Sequence, residues 1–394
     1  IRDSSIDKQT LADIFTCWAP IGSETAFEGI SQIPPGCVGR FSGRELKIKH
    51  YWKPGFSESD PWERSFSDWT DELKSLLHDA TRIRLRADVP VGAYLSGGLD
   101  STYTTSIVKN NFNNLLKTFS VTFSDDRFDE EAFQLTAVKD LNTDHHSIRC
   151  TDIDIVNAFS DIIWHTEVPI LRTATAPLYR LSSLVRENDF KVVLTGEGAD
   201  EIFAGYNIFK EDRIRRFWAR QPGSRLRPRL LERIYPYIFS QSRARARAYL
   251  ENFFKRYLND TDSPIYAHML RWQNTSGRHA FFSDDVRHST SDLAGFIEHY
   301  VNMLPAEFDT WSPLSQAQYT EINIFLSNYL LSSQGDRMAM AHSVEGRYPF
   351  LDHRVIEFAS RLPARFKLNG LNEKFILKKA AEGLIPPELI NRPK

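Results

Sequence analysis

The stretch Ser96-Gly97-Gly98-Leu99-Asp100-Ser101 constrains this chain more than any other. It follows the short apolar run 91–95 and precedes a segment compatible with a helix from Thr102 onward. A strand, a glycine turn and a helix start make an anion cradle. The glycines let backbone N–H groups approach closely, Ser96, Ser101 and Thr102 offer hydroxyls, and the helix start adds partial positive charge. Asp100 is the odd member, because a carboxylate beside phosphate oxygens repels them unless a hard cation lies between, which points to Mg²⁺. The pattern is neither the Gly-Lys-Ser/Thr phosphate loop nor the G-x-G-x-x-G of dinucleotide sites. A Gly- and Ser-rich turn without a ligand is the bland alternative.

Three further segments bear on the loop. Thr195-Gly196-Glu197-Gly198-Ala199-Asp200-Glu201 follows the apolar Val192-Val193-Leu194. Asp336-Arg337-Met338-Ala339-Met340-Ala341-His342-Ser343 continues into Val344-Glu345-Gly346-Arg347-Tyr348-Pro349-Phe350-Leu351-Asp352, and Glu373-Lys374-Phe375-Ile376-Leu377-Lys378-Lys379-Ala380 lies near the end. Ser96–Ser101 resembles the pyrophosphatase loop of enzymes that split ATP between its α and β phosphates. The other three resemble, in order, the second metal loop, the C-terminal signature and the catalytic-lysine segment of the asparagine synthetase family.

The resemblance implies an α/β fold with a parallel sheet of the adenine-nucleotide hydrolase (PP-loop) type, a helical C-terminal half and a small β remnant of a glutaminase domain at the N-terminus. It implies a carbon–nitrogen ligase that adenylates a carboxylate, releases pyrophosphate and transfers glutamine-derived ammonia. ATP and Mg²⁺ are the implied cofactors, with Asp100 and Asp200 as metal ligands. Ser96, Gly97, Gly98, Ser101 and Thr102 would hold pyrophosphate, Gly196 would also belong to the cofactor site, adenine would lie against Val121 and Phe123, and Leu95 would cover the ribose. Lys374 would serve the α-phosphate and Glu197 would accept a proton from the attacking nitrogen. For each aspartate the structural alternative is a helix N-cap. For Glu197 it is a loop carboxylate bonded to nearby N–H groups.

With 394 residues, 41% of them hydrophobic, the chain can bury a substantial core and exceeds the usual single-domain size. Its formal net charge of −2 supplies no global field for nucleic acid or an anionic membrane. Cys17, Cys37 and Cys150 are scattered singly, so free thiols are expected rather than a zinc or redox pair. No apolar run approaches the roughly 20 residues needed to span a bilayer. A soluble, cytoplasmic protein is expected, without nucleic-acid or membrane partners, and a homodimer is the assembly left open.

Ile1 is not an initiator Met and the resemblance would continue past Lys394, so a piece of a longer protein is expected. Residues 1–55 resemble the tail of the glutaminase domain, including a strand pair near 37–41 and 47–52. The family's glutaminase nucleophile is an N-terminal cysteine, and internal Cys17 and Cys37 lack the free amino group that serves as its base. The polar stretch Ser57-Glu58-Ser59-Asp60-Pro61 reads as a linker, placing the ATP-pyrophosphatase domain at 60–394. Helical apolar spacing covers 66–85. Apolar runs and amphipathic segments then alternate over 91–95, 102–109, 118–123, 131–141, 155–163, 177–186 and 192–195, the rhythm of a parallel α/β sheet. From Phe209 onward helical stretches take over, with Phe253, Tyr257, Tyr266, Leu270, Tyr319, Ile322, Phe325 and Leu326 as core positions. The arginines at 213, 215, 216, 220, 225, 227 and 229, and at 243, 245 and 247, read as solvated or acid-paired rather than as a nucleic-acid patch.

Asp336, Arg337, Glu345, Arg347 and Asp352 fit a structural network and a substrate site equally. His342 reads as packed. Gly346, Tyr348 and the pair Gln334-Gly335 depart from the pattern of the primary-metabolism enzymes, which puts aspartate in question as the acceptor. A specialised-metabolite or glycan carboxylate is one alternative. A PP-loop enzyme that modifies nucleic acid, or a non-catalytic nucleotide-binding regulator, are others; the missing paired cysteines disfavour the first, and the joint presence of Asp100, Asp200, Glu197 and Lys374 the second.

Overall fold

Local chain chemistry sets the first elements. The structure, a computed structural model, describes residues 5–59, 64–112, 115–125, 127–236 and 243–392. Ile1, the linker residues Asp60 and Pro61 with the expected domain start, the side chain of Arg243, and Lys394 lie outside them. Helix α1 (Lys8–Cys17) starts at Asp7, whose carboxylate accepts the Thr10 N–H. Strands β1 (Cys37–Ser42) and β2 (Glu45–His50) form the expected hairpin, turning through Gly43 at φ +68°. Helix α2 (Phe66–Arg84) opens with a reciprocal cap: Ser65 Oγ accepts the Asp68 N–H and the Asp68 carboxylate accepts the Ser65 N–H, satisfying two donors a helix start otherwise leaves unpaired.

The chain then alternates as its apolar rhythm requires: β3 (Val91–Tyr94), α3 (Leu99–Asn111), β4 (Lys117–Phe123), α4 (Glu131–Leu141), β5 (Asp144–Cys150), α5 (Asp152–Thr166), α6 (Thr175–Glu187), β6 (Val192–Leu194) and α7 (Ala199–Ile202). Strand β7 (Glu345–Arg347) completes a five-stranded parallel sheet in the order β5-β4-β3-β6-β7. The fold is thus α/β with a parallel sheet, as expected.

Two of these strands escaped the periodicity. Strand β5 reads Asp-His-His-Ser-Ile-Arg-Cys and β7 reads Glu-Gly-Arg, and both are sheet edges. Edge strands face solvent along one side and carry polar residues that discourage further pairing. The buried β6, Val-Val-Leu, is the apolar kind that reads plainly.

Packing divides the chain into two units, one holding Ile1–Phe56, Ala204–Phe325 and Leu368–Glu373, the other Ser57–Phe203, Leu326–Lys367 and Lys374–Lys394. In the second, Trp69, Leu73 and Leu77 of α2 are essentially fully buried with Tyr103, Phe203, Phe350 and Phe358, each such side chain stabilising by roughly 1.5–3 kcal/mol. The first is helical. There Trp218, Leu231, Leu250, Phe254 and Leu270 share one cluster. Tyr266 is buried as expected, while Tyr257 is more than a third exposed. Residues Glu321–Asp336 wind as a π-helix, a form concentrated at functional sites. Among the described residues no helix is long and apolar enough to cross a membrane.

The arginine cluster is partly solvated and partly bound: Arg220, Arg225, Arg229 and Arg245 are exposed. Arg216 pairs with Asp212 and Arg247 with Glu232, as acid pairing predicts. Arg213 and Arg227 instead donate to the carbonyls of Leu368 and Phe217. Arg215 is fully buried among backbone oxygens, a role a surface reading misses.

Candidate functional site

Both glycine-acidic loops leave the carboxyl ends of adjacent strands, where ligands sit in open parallel sheets. After β3, Gly97 takes φ +71° because its Cα lies on the backbone of α4: a Cβ there would come within 2.4 Å of the Phe133 carbonyl carbon. After β6, Gly196 brings the second loop onto the first, since a Cβ there would lie 2.9 Å from both Asp100 Cβ and Ser101 N. Only hydrogen at Cα permits that approach.

Asp100 and Asp200 each occupy the second position of their helices, behind Gly98 and Gly198 as N-caps. Capping therefore does not explain either carboxylate. Lys374 does meet both. Its Nζ lies 2.5 Å from Asp100 Oδ2 and 2.8 Å from Asp200 Oδ1, and the residue is only 5% exposed. Lys374 itself is held at φ +50° while its N–H donates to the Phe203 carbonyl at 3.2 Å. A non-glycine residue in that region is strained, and such strain gathers at working sites. The other oxygen of Asp100, Oδ1, is buried with no hydrogen-bond partner.

The hydroxyls of the first loop bond one another. Ser101 Oγ accepts the Ser96 N–H at 3.2 Å and lies 3.0 Å from Ser96 Oγ, which in turn accepts the Gly98 N–H. Thr102 is fully buried and its Oγ1 has no partner. Leu95 is buried against Ala137 and Leu389. At the expected adenine strand, side chains already engage the backbone: Gln134 Nε2 donates to the Val121 carbonyl at 2.9 Å, and the Phe123 N–H donates to Asp129 Oδ1 at 3.1 Å. Nothing in the sequence marked Gln134 or Asp129. Glu197 follows Gly196 on the same rim, its N–H donating to Thr195 Oγ1 at 3.3 Å.

The charged set of the long signature separates. Asp352 is 3% exposed, caps the helix His353–Arg361 and binds Arg84 and Arg354, which hold its carboxyl well below the usual range despite burial. Arg347 donates to Glu345 and to the carbonyls of Arg84 and Arg86, and Arg337 to Glu167 and the His165 carbonyl. These are structural bonds. Asp336 instead accepts from the phenol of Tyr348 at 2.6 Å. His342 is packed as expected, with Nδ1 2.8 Å from Ser182 Oγ and its ring 4.4 Å from that of Tyr179; burial lowers its pKa. Cys17 and Cys150 are free and buried, and burial pushes both thiols up.

A parallel sheet whose rim carries two backbone-on-backbone glycine loops, each with a carboxylate on a shared lysine, defines an open-sheet α/β protein with its site at the carboxyl ends of its strands. The chain belongs to the asparagine synthase family, whose sequence model matches residues 72–394. It is 28% identical over its whole length to "Asparagine synthetase [glutamine-hydrolyzing] 1" of Bacillus subtilis, of which the match covers 59%. It is also 28% identical, over 94% of this chain and 58% of the relative, to "Amidase chyE" of Penicillium rubens. The chain thus spans under two thirds of the length of these curated relatives. Among solved structures, the U34-tRNA thiolase NcsA of Methanococcus maripaludis aligns over 61% of this chain and 82% of that one, at TM-score 0.28 and 12% identity.

Proposed function

We propose that this chain carries the AMP-forming half of an amide ligase: it activates a carboxylate with ATP, releases pyrophosphate, and lets ammonia, normally from glutamine, displace AMP. The observation that carries the reading is the Lys374 ammonium set between carboxylates from two separate loops. A carboxylate oxygen is a poor leaving group at neutral pH, and adenylation makes it a good one. Attack on the α-phosphorus builds negative charge that Lys374 can neutralise from a desolvated position. Ser96, Gly97, Gly98, Ser101, Thr102 and Gly196 would bind the departing pyrophosphate through hydroxyls and N–H groups. Asp100 and Asp200 are the residues that would hold Mg²⁺, and the unpartnered Asp100 Oδ1 suits a hard cation. When bound, Mg²⁺ would supply positive charge to the phosphate oxygens. The ion's remaining ligands would come from phosphate and water.

Glu197 accepts the proton lost by the attacking nitrogen. Adenine against Val121 and Phe123, with Leu95 on the ribose side, would compete with Gln134 and Asp129 for the backbone groups they engage. Residues 1–55 read as the tail of a glutaminase domain and 60–394 as the synthetase domain. A cytoplasmic location, a homodimer and small-molecule acceptors complete the proposal. Within it, a specialised carboxylate is favoured as a second choice beside aspartate by Tyr348 and its glycine neighbours.

The test is ATP–pyrophosphate exchange over a panel of carboxylates, which reads adenylation without any ammonia source. Carboxylate-dependent exchange is the expected result. Exchange with none of them, in a folded protein that binds ATP, contradicts the reading.

A further inference from the structure

Gln134 of α4 touches two parts of the sheet rim at once. Its backbone lies on the first loop, where a Cβ on Gly97 would come within 2.6 Å of the Gln134 nitrogen. Its side chain, 3% exposed, reaches the end of β4, and Nε2 donates to the Val121 carbonyl at 2.9 Å. The Phe119 carbonyl accepts the Leu95 N–H where the chain leaves β3. Residues two apart in a strand present their backbone groups to the same side, so the Val121 carbonyl points beyond that last bond, on the side of the first loop. A hydrogen-bond chain across the sheet fixes the sense of the amide. Because Nε2 donates to a carbonyl, Oε1 is the atom that accepts the Ser120 hydroxyl, at 2.8 Å. Ser120 has one proton, so its oxygen accepts from His145 Nε2, 3.0 Å away on the edge strand β5. The neutral ring then accepts at Nδ1 from Thr118 Oγ1 at 2.9 Å, and Thr118 accepts from Thr143 at 2.9 Å. Burial and the neighbouring His146 lower the His145 pKa and so favour that neutral ring.

We propose that Gln134 is a positioning residue for the nucleotide: it fixes the Gly97 loop relative to the end of β4, and His145, acting through Ser120, holds its amide in the one sense that does so. The inference rests on the ligase reading above, in which the loop takes pyrophosphate and the strand end takes the base. Gly97 has no side chain, so the loop sits where α4 puts it, and the Gln134–Val121 bond sets where α4 sits against β4. A carbonyl has two lone pairs, so a base contending for the Val121 oxygen can share it without dislodging the amide. Removing the amide leaves the buried Ser120 hydroxyl and the Val121 carbonyl without this partner and frees the two walls to drift apart.

The experiment joins calorimetric titration with ATP, steady-state ATP–pyrophosphate exchange with an accepted carboxylate, and nitrogen-15 NMR of the protein labelled at histidine. Gln134→Met, close in volume but unable to donate, should raise both the Kd and the KM for ATP about tenfold, while the KM for the carboxylate and kcat at saturating ATP change little. Ser120→Ala, which breaks the chain but spares the Gln134–Val121 bond, should raise the same two ATP constants by a smaller factor. The wild-type His145 ring, its signal assigned by its loss in His145→Gln, should show the neutral form protonated at Nε2, and Ser120→Ala should shift it towards a mixture of both neutral forms. Wild-type ATP affinity in Gln134→Met, a His145 ring protonated at Nδ1 in the wild-type protein, or equal loss of affinity for ATP and carboxylate in Gln134→Met would each overturn the proposal. Should Gln134→Met fail to fold, unchanged ATP constants in Ser120→Ala would overturn it. All of these leave the ligase reading intact; exchange with no carboxylate in the wild-type protein would overturn both.

Discussion

Arg215 and Lys374 are both buried cations in the same chain, and they are bound to different things. Arg215 is 1% exposed and donates to the carbonyls of Phe254, Tyr266, Arg256 and Tyr257, with its guanidinium 4.2 Å from the Tyr266 ring centroid. The arginine thereby ties loops and helix ends of the helical unit together. Lys374 holds two carboxylates whose loops also present hydroxyls and helix-start N–H groups, and one of those carboxylates keeps an oxygen unbonded. A cation bound to carbonyls is structural. A cation bound to carboxylates can change partners when phosphate arrives.

Substituting each by Met should separate the two kinds. Lys374→Met should lower pyrophosphate exchange by 10²-fold or more, the scale of one desolvated catalytic donor, with the folded state still populated in circular dichroism. Arg215→Met should instead lower stability by about 3–5 kcal/mol in denaturant titrations, since it strands several buried carbonyls, with exchange per folded molecule near normal. The reverse pattern would break the comparison. Glu197→Gln comes next: amide formation with ammonium salts should fall by roughly 10²-fold while exchange remains measurable. Parallel loss of both half-reactions would place Glu197 in the structure of the loop rather than on the nitrogen.

The smallest effect concerns a buried carboxylate with no such purpose. Burial raises the Asp13 carboxyl from 3.8 to about 6, against a hydrogen bond from Gln9. The folded state therefore holds this proton more tightly than the unfolded state. The stabilisation is complete below about pH 4 and is lost as pH rises through about 6. Asp13→Asn should raise stability by about 1–2 kcal/mol at pH 7.5 and give no gain at pH 4. A gain of equal size at both pH values would remove ionisation as its cause.

What the sequence disclosed follows the same division. The central strands β3, β4 and β6 and both glycine loops were legible, because apolar runs and glycine-acidic turns are local signals. The edge strands β5 and β7 were not, since polar residues at a sheet edge look like loop. The resemblance named Lys374, but its seat between Asp100 and Asp200 is 174 or more residues distant in the chain and only the fold supplies it. The Tyr348–Asp336 bond was visible only as a set of odd residues at 335, 346 and 348. Gln134 and Asp129, which engage the backbone of Val121 and Phe123, left no trace.

The central claim is that these loops direct attack to the α-phosphorus of ATP. Phosphorus NMR of the products formed with an accepted carboxylate and ammonium ion tests it most directly. The account predicts AMP and pyrophosphate in equal amounts, both abolished by Asp100→Asn or Asp200→Asn. ADP and orthophosphate as the products would contradict it.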